Sequence, residues 1–218
     1  MENLIIFGLG EMAEIAYYYL SKEYNIVAFT ADEKYINGQT FNSKEVVPFE
    51  NIEKRFPPKE YRMFIAIGYS KVNTVRRDKY LEVKNKGYKF ISYVSKDAFV
   101  ADNVIIGENC FILEDNTIQP FVKIGNNCFL WSGNHIGHHS TIQDHCFIAS
   151  HVVISGGCEI GEGTFIGVNA TLRDHIKIGK YNVIGAGALI LGDTEDYKVY
   201  MASPTEASKV PSNRLRRI

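Results

Sequence analysis

From Ile106 to Ile190 an aliphatic side chain recurs at every sixth residue, and Val94 and Val100 extend the row upstream. The anchors are Ile106, Ile112, Ile118, Ile124, Leu130, Ile136, Ile142, Ile148, Ile154, Ile160, Ile166, Leu172, Ile178, Ile184 and Ile190, with no break in phase. An amphipathic helix needs a period of about 3.6 and a half-buried strand a period of about 2, so neither produces this row. Gly107, Gly125, Gly137, Gly161, Gly167, Gly179 and Gly185 each follow an anchor directly, and the fourth position is often small, as at Cys110, Ser140, Thr164, Ala170 and Ala188. Short strands joined by tight corners satisfy both regularities. Three six-residue sides then close one 18-residue coil, and coils stack at about 4.8 Å, the spacing of hydrogen-bonded strands.

That register also explains the cysteines. Cys110, Cys128 and Cys146 recur every 18 residues, and Cys158 takes the same within-repeat position on another side. They read as small apolar packing groups, with no disulfide and no metal site predicted. The formal charge of -1 on 218 residues gives no support for a nucleic-acid binder built on many phosphate contacts. "MENLIIFGLGEMAEIAYYYL" reads as a strand and a helix start rather than a signal peptide, and no apolar run is long enough to span a membrane. Cytoplasm is the expected location, with no membrane partner.

Residues 1–93 follow a different grammar. "NLIIFGLGE" reads as a buried strand with a glycine turn, "MAEIAYYYLSK" as a helix, and "YNIVAFTAD" and "YRMFIAIG" as strands. A helix is expected over Val72–Lys86, then one strand in "YKFISYV". Alternating strands and helices predict a small, Rossmann-like parallel α/β sheet. Residues 37–61 read as turns with a short strand and a short helix. The Gly8–Gly10 turn can cradle phosphate through backbone N–H groups, and Asp32 stands where a ribose contact is made in dinucleotide sites. The glycine motif is incomplete, and 93 residues leave little room for a separate dehydrogenase substrate site. The chain therefore divides into an α/β domain (1–93), a coil domain (94–192) and an extension (193–218).

"GNHIGHHSTIQDHCFIASH" holds five of the six histidines. In the coil register His138 falls two residues past anchor Ile136, at a corner, where a side chain projects from the prism. Histidine suits proton transfer near neutrality. His139, His145, His151 and His175 lie three residues past their anchors. His145 and His151 are candidates for substrate contact or for plain solvated groups.

These features resemble the hexapeptide-repeat acyltransferases, in particular the branch of sialic-acid and bacillosamine O/N-acetyltransferases. The resemblance implies a left-handed parallel β-helix and a homotrimer with clefts at the prism corners. It makes the histidine of the I-x-H motif, His138 in "IGHHS", the general base. The branch often places an acidic residue after that histidine; here His139 stands in its place. Asn134, His135, His139 and Asp144 are accordingly the candidates for acceptor contact or for orienting the ring. The small α/β domain of the branch binds a nucleotide-linked amino sugar, which implicates Gly8, Gly10, Asp32, Gly68, Asn73 and Arg76. The donor implied is acetyl-CoA or another acyl-CoA, lying along the coil near Gly156, Gly157 and Ala186. An amide of Gly156 or Gly157 would hold the developing oxyanion.

The expected reaction moves an acyl group to the amine of a UDP- or dTDP-linked amino sugar for surface polysaccharide, without a metal. Sugar O-acyl transfer, hydroxybutyryl transfer, a zinc hydratase sharing histidines across subunits, and a coil that only binds are the alternatives. Arg214, Arg216 and Arg217 are candidates for the coenzyme phosphates or for a solvated basic tail.

Overall fold

The computed structural model describes residues 1–214; Arg216 and Arg217 lie outside them. The front domain consists of β1 (Asn3–Phe7), α1 (Glu11–Leu20), β2 (Asn25–Ala31), β3 (Thr40–Phe41), β4 (Lys44–Pro48), α2 (Ile52–Arg55), β5 (Arg62–Ile65), α3 (Thr74–Asn85) and β6 (Lys89–Phe90). Its sheet runs β3-β4-β2-β1-β5-β6, parallel except for the β3–β4 pair. Leu4 to Phe7 are all buried, as a parallel strand covered on both faces requires. Alternate residues serve opposite layers. Leu4, Ile6, Phe29 and Phe64 pack with α1 and the coil, whereas Ile5, Phe7, Met63 and Ile65 pack with Phe49, Ile52, Tyr80 and Val83.

Residues 37–61 contain the expected short helix, α2, and a hairpin where the sequence predicts only turns and one strand. Thr40 pairs with Glu45 and Phe41 with Lys44, leaving Asn42 and Ser43 as a two-residue turn with φ of 46° and 60°. Two positive φ values match the twist of a tight hairpin, and asparagine tolerates that conformation well. The strand expected in "YKFISYV" divides: Lys89–Phe90 joins the front sheet and Tyr93–Val94 opens the coil. Between them Ser92 is the first rung of the new ladder. Its hydroxyl donates to the Gly107 carbonyl and accepts from the Cys110 amide, at 2.7 and 2.9 Å.

The coil is a prism of three parallel sheets made of two-residue strands. Its first face carries Phe111–Ile112, Phe129–Leu130, Phe147–Ile148 and Phe165–Ile166 in register, 18 residues apart. The second face carries Thr117–Ile118, His135–Ile136, Val153–Ile154 and Thr171–Leu172. The third carries Lys123–Ile124, Thr141–Ile142, Glu159–Ile160 and Lys177–Ile178. Anchors from Ile112 to Ile190 are buried in one aliphatic core, together with all four cysteines, whose thiols are free. The first-face sheet continues past residue 192, because Val199–Tyr200 pairs with Val183–Ile184.

What stands before each anchor decides what the face meets. Phenylalanines on the first face pack under the front domain, in one cluster with β1, β2, β5 and α1. The third face presents lysine and glutamate. The second presents Phe99, Thr117, His135, Val153, Thr171 and Leu189, with no acid and no lysine or arginine.

Candidate active site

His138 lies on the corner between the second and third faces. Gly137, just before it, allows the next coil to come close: a Cβ there would meet the Gly156 nitrogen at 2.5 Å. The His138 amide donates to Gln119 Oε1 at 2.9 Å, on the coil below. Its imidazole leans over Gly156 on the coil above, so a Cβ at Gly156 would lie 2.8 Å from both Cε1 and Nε2. The ring's other nitrogen, Nδ1, is 3.1 Å from Nδ1 of His139. The His139 ring in turn stacks on Phe121, with centroids 4.6 Å apart and planes 29° apart. Both histidines are exposed. The Gly156 amide has no acceptor among the described residues, which leaves an N–H beside the His138 ring. The Gly157 amide is engaged, donating to the His138 carbonyl at 2.8 Å, so it is not an oxyanion donor.

Other expected site residues have different work. Asn134 is 1% exposed; it accepts from the Val152 amide at 2.8 Å and donates to the Trp131 carbonyl, a rung of the coil rather than an acceptor contact. Asp144 sits on the corner between the third and first faces, where its carboxylate holds the Asn126 amide at 2.7 Å. Within one chain it does not reach His138. His135 is half-buried on the second face, paired between Thr117 and Val153.

Asn73 and Arg76, expected at the sugar nucleotide, are 0% exposed and join the two domains instead. Asn73 donates to the Gly163 carbonyl at 2.8 Å. Arg76 donates to carbonyls of Gly68, His145 and Cys146 at 2.8, 2.9 and 3.1 Å, and to Asn73 Oδ1 at 2.9 Å. Its guanidinium lies 4.6 Å over the Phe129 ring. Burial lowers its pKa to about 10, so the cation persists at neutral pH although no carboxylate among the described residues pairs with it. Backbone dipoles and ring faces replace the missing anion. A phosphate has no access to it.

His145, a candidate for substrate contact, is 5% exposed beneath α3. A chain of amides reaches it: the Ile65 amide donates to Asn109, Asn109 to Asn127, and Asn127 Nδ2 lies 2.9 Å from His145 Nδ1. Because that amide nitrogen can only donate, His145 Nδ1 accepts and the ring is neutral. Burial pulls its pKa down to about 4. It is a structural histidine.

The front-domain candidates do not form one site. Gly8 has φ of +134°, and a Cβ there would meet the Ala66 carbonyl oxygen at 2.7 Å, so its glycine is required by the close approach of β1 and β5. Gly10 is open and exposed at the start of α1, whose first turn carries Glu11 and Glu14. Asp32 pairs with Lys79 at 2.7 Å in a charged depression of about 750 Å³ on the opposite side of the sheet from α1. Gly68 instead borders a mainly apolar cleft of about 480 Å³ between α1 and the coil, with Met12, Tyr69, Trp131 and Phe147 in its walls. Ala186, expected to meet the coenzyme, lines the same cleft.

Sequence named Arg76, Gly68 and Ala186 but missed the domain-joining role of Arg76 and the aromatic walls of the cleft, although a signal for the walls existed. Phe111, Phe129, Phe147 and Phe165 recur every 18 residues just before an anchor. Such a row of outward aromatic rings announces a face that something covers.

Residues 103–137, 121–156 and 157–192 match the family model described as bacterial transferase hexapeptide (six repeats). Residues 103–192 thus carry the six-residue repeat of the hexapeptide transferases. Their left-handed parallel β-helix, preceded by an α/β domain, is the fold of this chain. A point mutant of perosamine N-acetyltransferase from Caulobacter crescentus, solved with CoA and GDP-perosamine, is 19% identical with a TM-score of 0.73, over 94% of this chain and 96% of that one. The acetyltransferase domain of PglB from Neisseria gonorrhoeae is 21% identical with a TM-score of 0.62, over 94% and 99%. WeeI from Acinetobacter baumannii is 19% identical with a TM-score of 0.67, over 91% and 96%. No curated protein sequence matches the chain significantly. Among the described residues no group of three or more His, Cys, Asp or Glu side chains is placed to hold a metal. No helix among them is long and apolar enough to cross a membrane.

Proposed function

We propose that this protein is a CoA-dependent N-acyltransferase that acylates the amine of a nucleotide-linked amino sugar, with acetyl as the acyl group and His138 as general base. The observation that carries the reading is the placement of the exposed His138 ring over Gly156 on the next coil, whose amide is unengaged among the described residues. A thioester is already activated, so the protein needs to align it, accept one proton and hold a developing negative charge. His138 Nε2 takes the proton of the attacking amine as the C–N bond forms. The Gly156 N–H faces the oxyanion of the tetrahedral intermediate. On collapse the C–S bond breaks, and the proton passes from His138 to the departing CoA sulfur. General base assistance of this kind contributes about 10²–10⁴-fold.

A single chain leaves the two parts of such a site apart. The cleft at Gly68 opens beside the corner between the first and second faces, and His138 stands on the far edge of the second face. Docking second faces around a three-fold axis brings one subunit's cleft toward its neighbour's His138. Phe99 and Leu189, 62% and 61% exposed on that uncharged face, suit burial there. We therefore infer a homotrimer, with the sugar nucleotide in the cleft and CoA along the corner groove. The Caulobacter neighbour, solved with GDP-perosamine, adds GDP to UDP and dTDP as the nucleotide to test. An acyl-CoA cosubstrate fits a cytoplasmic setting and surface-polysaccharide synthesis.

A mass-spectrometric screen crossing GDP-, UDP- and dTDP-linked amino sugars with several acyl-CoAs tests the reading. An N-acylated nucleotide sugar plus free CoA is the expected product, and turnover of His138→Ala should fall at least about tenfold with the oligomer intact. No product from any pair, or near-normal turnover of that variant, overturns it.

A further inference from the structure

We propose that His139 is the positioning residue of His138: its Nδ1 lone pair accepts the His138 Nδ1 proton and so leaves His138 Nε2 unprotonated toward the substrate. The inference rests on the assignment of His138 as base and concerns what holds that base in its working tautomer. Four contacts converge on the pair. The two Nδ1 atoms are 3.1 Å apart, with the rings nearly perpendicular at 86°. Two bare lone pairs at that distance repel, so one nitrogen must carry a proton and the other must accept it. Phe121, one coil below, holds the His139 ring flat against its own. Gln119, beside it, fixes the His138 backbone. Above, Gly156 leaves the space in which Cε1 and Nε2 of His138 sit.

The direction of the shared proton follows from the chemistry required. If His138 donates, Nε2 keeps its lone pair and can take a proton from an amine. If His139 donates, neutral His138 carries its proton on Nε2 and cannot act as base. Only the first arrangement supports amide formation. His139 has φ of +59°, a left-handed conformation that asparagine tolerates better than most residues. Asparagine Oδ1 occupies nearly the place of histidine Nδ1, so His139→Asn keeps both the conformation and the acceptor. His139→Gly keeps the conformation and removes the acceptor.

Long-range proton–nitrogen spectra of the full chain, with ¹⁵N-labelled histidine, read the tautomer without any substrate. Above neutral pH His138 should show a protonated Nδ1 and a bare Nε2, and His139→Gly should abolish that preference while His139→Asn preserves it. With acetyl-CoA and the amino sugar that the screen identifies, His139→Gly should lose about tenfold in kcat at nearly unchanged KM, and His139→Asn should stay within about threefold of the parent. A His138 ring protonated at Nε2, or full kcat in His139→Gly, overturns the role of His139. If His138→Ala is still inactive in the same assay, the general-base assignment survives that failure; if His138→Ala is active, the base assignment itself is lost.

Discussion

His139 and His145 stand six residues apart at the same place in consecutive repeats, three residues past anchors Ile136 and Ile142, with φ of 59° and 65°. Their backbones are interchangeable. Their surroundings are not. His139 lies on an open corner with a ring nitrogen against His138, while His145 lies under α3, its carbonyl held by Arg76 and its ring by Asn127. The repeat sets where a side chain leaves the prism, and whatever covers that corner sets its chemistry. His151, at the same position on the remaining corner with φ of 57°, is exposed beside Gly133 and makes a third case.

The contrast can be broken most severely at the covered corner. Arg76→Met keeps the volume but strips the His145, Gly68 and Asn73 oxygens of their donor. The expected loss is at least about 3 kcal/mol, seen as a lowered urea midpoint; an unchanged midpoint would mean that Arg76 does not join the domains.

A change of pH probes the same corner more gently. His145 has its folded pKa depressed to about 4 by burial, below its ordinary 6.5. The unfolded chain therefore binds the extra proton between these values, so the stabilising term is complete above 6.5 and is lost as pH falls toward 4. Relative to His145→Asn, which continues the Asn109–Asn127 row, the parent should lose about 2 kcal/mol between pH 7.5 and 5. Thermal melts of both proteins at the two pH values measure the difference, and parallel pH profiles would show that the buried ring is not the cause.

At the open corner a substitution should touch rate rather than stability. Gly156 is outside the left-handed region, so Gly156→Ala is tolerated by the backbone, but its methyl enters the space of the His138 ring. About tenfold lower kcat, equivalent to about 1.4 kcal/mol, is expected with a melting temperature close to the parent's. The smallest effect on stability belongs to His151→Asn, within about 0.5 kcal/mol; a large drop in melting temperature would show that this exposed ring is held by contacts like those of His145.

The sequence was most legible where one interaction repeats. The period of six followed from burial of one aliphatic residue per side, and it placed His138 at a projecting corner and the cysteines inside. It was least legible where contacts join segments remote in sequence. Arg76 looks like any basic residue of an amphipathic helix, and its partners, His145 and Cys146, lie about 70 residues away. Gly8 fits a phosphate loop and a tight strand crossing equally well, and only the Ala66 carbonyl decides between them. Asp144 was expected to help His138 because it is near in sequence, but two residues beyond an anchor on one side and two beyond an anchor on the next point away from different edges of the prism.

The aromatic row under the front domain has a consequence for how chains of this design can change in length. Between Phe111 and Phe165, an insertion or deletion in the winding that is not a whole turn would rotate the phenylalanines beyond it out of line and turn apolar rings to water. A whole winding preserves the prism. Added beyond Ala186 it would lengthen the molecule without disturbing the cleft, whereas added between Phe111 and His138 it would move the His138 level relative to α1 by one strand spacing, about 4.8 Å. Growth is thus free at the far end and quantised beneath the docked domain.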